Sequence, residues 1–260
     1  MVRTFVLVLL LFCGAARAQS VSFPSIATGS AAAGLEITGW IYKPDGAGPF
    51  AAVILAHSCS GSGNHTASWG KLLAGWGYLV LAPDSFGPRG ESQVCTKPAA
   101  VTPNMRVADI AGALDFLATR PDVLPGRIGM IGHSHGGSTT VRSTQQAFGL
   151  AKRGLRGGVA YYPGCSSLDR AVDVPLLILI GDKDDWTSAD RCRQFQAAGI
   201  SRPGIVEAVY YPNALHSFDS KARDRTVSGS AGRTHQLGYD AVAAPDAEAR
   251  TKAFLEKILR

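Results

Sequence analysis

The chain has 260 residues, of which 46% are hydrophobic and 18% are charged. This composition excludes an intrinsically disordered chain, which combines low hydrophobicity with a high density of charge. The formal net charge of +6 comes from lysines and arginines that are spread along the chain without a basic run, so the sequence predicts no nucleic-acid partner.

The first 18 residues have the pattern of a secretory signal peptide. A basic residue precedes the apolar stretch Phe5–Phe12, and Ala16–Ala18 forms an AxA cleavage site. The apolar stretch is far shorter than the roughly 20 residues that span a bilayer, and the large residue before Cys13 does not fit a lipoprotein signal. We therefore predict a cleaved signal peptide, a mature chain of residues 19–260 without a stable membrane anchor, and a secreted or periplasmic location.

Short apolar runs alternate with helical patterns along the rest of the chain. The runs are nearly continuous, as in strands buried on both faces of a sheet, and they are Ala51–Ala56, Tyr78–Ala82, Arg127–Ile131, Gly158–Tyr162, Pro175–Ile180 and Val206–Tyr211. Apolar residues at helical spacing predict a helix over Met105–Arg120, and a final helix begins at about Asp246. Because parallel crossovers need covering helices, we predict a single α/β domain with a mostly parallel central sheet covered by helices on both faces.

One long segment near the end of the chain shows no clear period. Ser217–Ala244 is polar and contains several glycines and serines. Such a composition is typical of a surface loop. We therefore predict a long surface loop here, which begins directly after His216.

The most specific motif in the sequence is GxSxG at Gly132–Gly136. It follows the predicted strand Arg127–Ile131, and a helical stretch begins at Gly136, which is the setting of a nucleophile elbow. Small neighbours allow a strained strand-to-helix turn to expose a serine hydroxyl, and the helix start directs free N–H groups towards a developing oxyanion. The motif predicts that Ser134 is a nucleophile.

A serine nucleophile needs a base, and the base needs an acid that orients it. In proteins with this elbow the chain order is serine, acid, histidine. After the predicted strand Pro175–Ile180, a turn presents three carboxylates, Asp182, Asp184 and Asp185. After Val206–Tyr211 comes a loop whose single histidine is His216. The order predicts His216 as the base and one of the three carboxylates as the acid.

Together these segments resemble the dienelactone hydrolase family of α/β-hydrolases. The resemblance extends from about Leu35 to the final helix, and the segments that carry it are Ala56–Gly61, Asp84–Gly90, Gly132–Gly136, Tyr161–Cys165, Gly181–Trp186 and Tyr211–Phe218. It implies an α/β-hydrolase fold. It also implies that Asp184 is the acid and that the backbone N–H groups of Cys59 and His135 form the oxyanion hole.

The sequence departs from the name-giving members of this family at the nucleophile. Those enzymes use a cysteine where this chain has Ser134. A serine activated by histidine is the general esterase arrangement, so we expect hydrolysis of a small-molecule carboxylic ester or lactone through an acyl-enzyme, without a cofactor. The alternatives are a serine peptidase or amidase on the same fold, and a non-catalytic binding protein, although the latter would be expected to lose one of the three side chains.

Four cysteines remain after signal cleavage, an even number in a chain routed to an oxidising compartment. Their wide spacing supplies no CxxC pair, so no metal site is predicted. Four cysteines allow three pairings. Their positions after neighbouring predicted strands favour two disulfides, Cys59–Cys95 and Cys165–Cys192.

We expect the other polar residues near these motifs to have mainly structural roles. His133 and His135 flank the nucleophile, but an elbow points adjacent side chains away from the serine. His57, His65 and His235 are not predicted to bind a metal. Arg89 lies in a loop that opens on the active-site edge of the sheet, where it would pair with a substrate carboxylate or bond carbonyl groups of its own loop.

Overall fold

The computed structural model describes residues 18–28, 33–165, 171–198 and 204–260. Eight strands form its main sheet: Ala18–Pro24 (β1), Glu36–Tyr42 (β2), Phe50–Ala56 (β3), Leu79–Asp84 (β4), Val123–His133 (β5), Leu155–Tyr161 (β6), Leu176–Gly181 (β7) and Val206–Tyr211 (β8). Their order is β1-β2-β4-β3-β5-β6-β7-β8. β2 runs antiparallel to β1 and β4, whereas all other neighbours are parallel.

Five α-helices in the described ranges connect and cover these strands: Asn64–Gly75 (α1), Pro103–Ala118 (α2), His135–Ser143 (α3), Ala189–Ala197 (α4) and Ala243–Ile258 (α5). Alternate residues of a strand face opposite sides of the sheet. Accordingly, Val53 belongs to a hydrophobic cluster that includes α1 and α5, and Ile54 to another that includes α2. The predicted fold class is therefore confirmed, with helices on both faces of a mostly parallel sheet.

The boundaries of two predicted helices shift by a few residues. α2 begins at Pro103 rather than Met105, because the Thr102 side chain accepts a hydrogen bond from the Met105 N–H at 3.3 Å and caps the helix start. Proline at the first helical position fits this start. α5 begins at Ala243, three residues before the predicted position.

The prediction of a loop over Ser217–Ala244 is wrong in part. Arg225–Ser228 (β9) and Thr234–Leu237 (β10) pair in antiparallel register and form a separate two-stranded sheet. We call this pair the hairpin. Each strand has only four residues, and polar side chains dominate both, so the apolar alternation that reveals a strand is too short to detect.

Most of the predicted signal peptide, residues 1–17, lies outside the described residues, and Ala18 begins β1 opposite Tyr42. Among the residues that the structure describes, no helix has both the length and the apolar character needed to cross a membrane.

Candidate active site

Ser134 occupies a sharp turn between β5 and α3. Its backbone angles, φ 55° and ψ −112°, are rare for a residue with a side chain. A Cβ atom at Gly132 would lie 2.1 Å from the carbonyl oxygen of Gly136, and one at Gly136 would lie 2.1 Å from that of Ala56. Backbone atoms cannot move aside cheaply, so both glycines are required by close packing around the turn.

Replacement of Gly136 by alanine tests this packing. The new methyl group would meet the β3 backbone, and we expect the free energy of unfolding to fall by about 3 kcal/mol, the upper part of the usual cost of overpacking. Gly75→Ala is the matched control, since a Cβ there meets no atom within 4 Å and alanine should stabilise the helix by about 0.5–1 kcal/mol. Urea denaturation measures both. Equal stability of the two variants would contradict the packing argument.

The side chains of Ser134, His216 and Asp184 form one hydrogen-bonded row. The Ser134 hydroxyl lies 2.9 Å from Nε2 of His216, and Nδ1 of His216 donates to Oδ2 of Asp184 at 2.8 Å. The three residues follow β5, β8 and β7, whose carboxyl ends meet at one edge of the sheet. This geometry allows the imidazole to accept the serine proton while the carboxylate fixes its orientation.

The three carboxylates of the loop after β7 have different surroundings. Oδ1 of Asp184 accepts the backbone N–H of Thr187 at 2.8 Å, and Oδ2 accepts the Thr187 hydroxyl at 2.7 Å. Asp182 forms a partly exposed ion pair with Arg193, and the exposed Asp185 carboxylate accepts a backbone N–H of β10. Of the three, only Asp184 is buried and bonded to the histidine.

The two residues expected to donate to an oxyanion both lie near the nucleophile. Cys59 lines the same cleft as Ser134. His135 is the first residue of α3, where N–H groups have no acceptor within the helix and the helix dipole favours negative charge. The place of the His135 N–H in α3 is therefore suited to hold a negative oxygen that is bonded to Ser134, and Cys59 shares the cleft with Ser134.

A buried arginine connects the loop after β3 to His135, and the sequence analysis did not identify it. Arg106 is 1% exposed, and its Nη1 donates to the carbonyl oxygen of His57 and to Nδ1 of His135, both at 2.9 Å. Burial and the adjacent Arg106 charge lower the pKa of His135 to about 3, so its ring is a neutral acceptor. The sequence signal that could have revealed the burial of Arg106 is the composition of α2. This helix has few polar residues, and most of its circumference is buried.

Arg89 is engaged within the protein. Its guanidinium binds both carboxylate oxygens of Asp109 at 2.8 Å and donates to the carbonyl oxygen of Ser85 at 2.7 Å. Asp109 is fully buried in α2, and burial raises its pKa despite the facing arginine. The expected bond to a carbonyl of its own loop is present, whereas a substrate carboxylate would have to compete with Asp109. Arg89 is therefore not among the residues that we propose to bind substrate.

Two disulfides join Cys59 to Cys95 and Cys165 to Cys192, the pairing that the sequence predicts. Both cysteines of the first bridge line the cleft, and the Cys59 carbonyl also accepts the Val94 N–H at 2.8 Å. The second bridge is buried, with Cys165 4% and Cys192 0% exposed. The bridge at the cleft is therefore the more accessible to a reductant.

Selective reduction of Cys59–Cys95 is expected to lower kcat before the protein unfolds. The bridge holds the loop that carries the Cys59 N–H, and loss of one oxyanion donor costs up to about 10²–10³ in rate. The measurement is ester turnover beside circular dichroism during mild reduction, with alkylated cysteines identified by peptide mapping. A Cys165→Ala, Cys192→Ala double variant is the control, because it retains only the cleft bridge. Activity that survives full alkylation of Cys59 and Cys95 would contradict this role.

A cavity of about 250 Å³ lies in front of Ser134. The Trp186 ring forms part of its wall and packs against His216, with ring centroids 5.1 Å apart. The Trp186 ring also stacks on the ring of His235 in β10, with centroids 4.6 Å apart. The hairpin supplies a further part of the wall through Arg225, Val227, Ser228 and Leu237.

His57 has the local structural role that the sequence predicts. Its Nδ1 donates to the carbonyl oxygen of Ser58 at 2.8 Å, and its Nε2 accepts the Ser85 N–H at 3.2 Å. Burial holds its pKa well below the ordinary value, so the ring is neutral. These bonds connect the loop after β3 to the end of β4.

The sequence profile of the Dienelactone hydrolase family matches residues 37–259. The chain belongs to this family. A protein that has been assigned the name carboxymethylenebutenolidase, from Methylorubrum extorquens, is 24% identical over 200 residues, which are 69% of this chain and 67% of that protein. The predicted family resemblance is thus confirmed, and family membership makes the chain a hydrolase.

Solved structures show the same fold at lower sequence identity. A protein from Klebsiella pneumoniae that carries the name dienelactone hydrolase superposes with a TM-score of 0.70 at 22% identity, covering 93% of this chain and 99% of that one. An esterase from Pyrococcus furiosus superposes with a TM-score of 0.62 at 15% identity, covering 94% of each chain. This member of the dienelactone hydrolase family therefore has the α/β-hydrolase fold.

Proposed function

We propose that this protein is an exported serine hydrolase that cleaves small carboxylic esters or lactones through an acyl-enzyme. The main support is the hydrogen-bonded row in which the Ser134 hydroxyl lies 2.9 Å from Nε2 of His216. A hydroxyl is a weak nucleophile unless a base removes its proton. The family supports hydrolysis, and the row supports Ser134 as the group that carries it out.

In the first half of the proposed reaction, His216 accepts the hydroxyl proton while Oγ of Ser134 attacks the carbonyl carbon of the substrate. The backbone N–H groups of Cys59 and His135 stabilise the oxyanion. The tetrahedral intermediate collapses and expels the alcohol, which takes its proton from His216. Asp184 stabilises the imidazolium throughout and remains ionised.

In the second half, a water molecule replaces the alcohol. His216 removes a proton from this water as it attacks the acyl carbon, and the acid leaves as Ser134 regains its proton. With a lactone, the alcohol and the acid are parts of one product. Every step uses a side chain or backbone group of this chain, so the proposed mechanism requires no cofactor.

Export is the second part of the proposal. The signal-like residues 1–18 support it, and so do the two disulfides, because disulfides persist mainly in oxidising compartments. Expression of the full chain in a bacterial host, followed by fractionation and N-terminal sequencing, tests this part. We expect a mature protein that begins at Gln19. An uncleaved protein in the cytosol would contradict export.

A substrate panel tests the reaction. Purified protein is assayed with p-nitrophenyl esters of increasing acyl length, with a dienelactone and with a dipeptide amide, and a fluorophosphonate probe then labels the activated serine. We expect ester or lactone turnover and a labelled Ser134. Turnover of the amide alone would favour the peptidase alternative. No turnover and no labelling would favour a binding protein.

A further inference from the structure

A second cluster of polar side chains is buried close to the catalytic row. His65 lies in the first turn of α1, His133 precedes Ser134, and Asp219 lies three residues after His216. Nε2 of His65 is 2.8 Å from Oδ2 of Asp219, and Nε2 of His133 is 3.6 Å from the same oxygen. One nitrogen or oxygen atom from each of the three side chains lies within 4.8 Å of the others.

His133 has an unpartnered nitrogen that points into this cluster. Its side chain is 2% exposed, and its Nε2 has no hydrogen-bond partner among the described residues. Buried polar atoms nearly always have a partner, and a neutral imidazole is the form that binds a metal ion.

The Asp219 carboxylate is fixed by two further donors. Its Oδ2 accepts the indole N–H of Trp69 at 2.8 Å, and its Oδ1 accepts the hydroxyl of Tyr162 at 2.7 Å. Carboxylates that bind metals are commonly oriented by such hydrogen bonds.

We infer that His65, His133 and Asp219 form a binding site for a divalent transition-metal ion such as Zn²⁺, with water as a fourth ligand. Two imidazoles and one carboxylate are a known ligand set of tetrahedral zinc with an open position. Bonds of about 2.0–2.1 Å place tetrahedral ligand atoms roughly 3.3 Å apart. The separations of 2.8 Å and 3.6 Å from the Asp219 oxygen lie on either side of this value.

The surroundings allow an ion to enter. A cavity of about 630 Å³ adjoins the cluster and is lined by both His65 and Asp219. The His65 side chain is 32% exposed, so its ring has room for the shift of a few tenths of an ångström in Nε2 that a bound ion requires. A bound ion would connect α1, the end of β5 and the loop that carries His216, and it would therefore stabilise the segments on both sides of the catalytic row.

In the absence of a metal, the same groups form an ion pair. Nε2 of His65 lies 2.8 Å from Oδ2 of Asp219, and a bound ion would replace the proton between them, because a histidine binds metal through a neutral nitrogen. The competing interpretation is that these residues form only an ion pair. A metal site predicts that the protein binds a metal ion, whereas an ion pair alone predicts that it does not.

Titration of the chelator-treated mature protein, residues 19–260, with Zn²⁺ tests the inference. Calorimetry is expected to show one equivalent of Zn²⁺ bound, with a rise in Tm, and Co²⁺ in place of Zn²⁺ should give the visible absorption of a tetrahedral site. His65→Gln and Asp219→Asn should each weaken Zn²⁺ binding by more than about 100-fold. Loss of a residue that only hydrogen-bonds to a metal ligand already lowers metal affinity by about 10–100-fold, and loss of the ligand itself should cost more.

His216→Gln and His235→Gln are the matched controls, since His216 lines the cleft of Ser134, His235 stacks on Trp186, and both lie outside the cluster. Both variants should bind Zn²⁺ as the unaltered protein does. If Asp219→Asn does not fold, His65→Gln decides the question, because its side chain is partly exposed. Absence of Zn²⁺ binding, unchanged binding in His65→Gln, or loss of binding in His216→Gln would each overturn the inference.

Discussion

Replacement of Ser134 by alanine is expected to lower ester turnover by a factor of about 10⁴ or more, which is the usual cost of losing the nucleophile of such a triad. The stability should change little, because only one oxygen atom is removed and its partner in the row is the side chain of His216. Steady-state kinetics and thermal denaturation of the same preparation measure the two effects separately.

The matched control is Ser60→Ala, which alters an exposed serine that lines the same cleft. Its turnover should remain within a few-fold of the unaltered protein. A Ser134→Ala variant with activity close to that of Ser60→Ala would show that another residue is the nucleophile, and the proposed acyl-enzyme would then be wrong.

Replacement of Asp184 by asparagine is expected to reduce kcat by about 10⁴ while KM changes much less. The carboxylate accepts the Nδ1–H of His216 at 2.8 Å and thereby leaves Nε2 free to accept the Ser134 proton. An amide that donates to Nδ1 would favour the opposite tautomer, in which Nε2 carries a proton and cannot act as a base. The pH dependence of kcat/KM and the kcat of the variant are the measurements.

Asp182→Asn and Asp185→Asn are the matched controls from the same loop. Asp182 forms a partly exposed ion pair and Asp185 bonds the hairpin backbone, so each variant should retain turnover within a few-fold. A larger loss in Asp185→Asn than in Asp184→Asn would move the acid by one residue and contradict the assignment based on family spacing.

The strands at the centre of the sheet were predictable because they are buried on both faces, whereas β1 and β2, which have several exposed residues, were not predicted. Strands such as β3 and β7 consist almost entirely of apolar residues, and this pattern does not depend on what packs against them. The GxSxG turn was predictable for a different reason. Gly132 is required by a backbone contact within the turn itself and Gly136 by a contact with Ala56 of the adjacent β3, so both glycines are retained in the motif that identifies the turn.

The features that the sequence analysis missed depend on contacts between distant segments. Arg106 looks like an ordinary polar helix residue until α2 packs beside the elbow and buries it. The cluster of His65, His133 and Asp219 draws on three elements that only the tertiary fold brings together. No local pattern of apolar residues or spacing records such contacts.

The hairpin was missed because its strands are short, but its attachment has a further consequence. It does not extend the main sheet, and it meets the site through Leu237, which bridges to His216, and through His235, which stacks on Trp186. The hairpin residues that line the cavity in front of Ser134 are thus separate from the strands that hold the fold together. We expect mutations in the hairpin to change the shape of this cavity at little cost in folding, so the hairpin offers natural or laboratory evolution a place to change the preference for the proposed substrates.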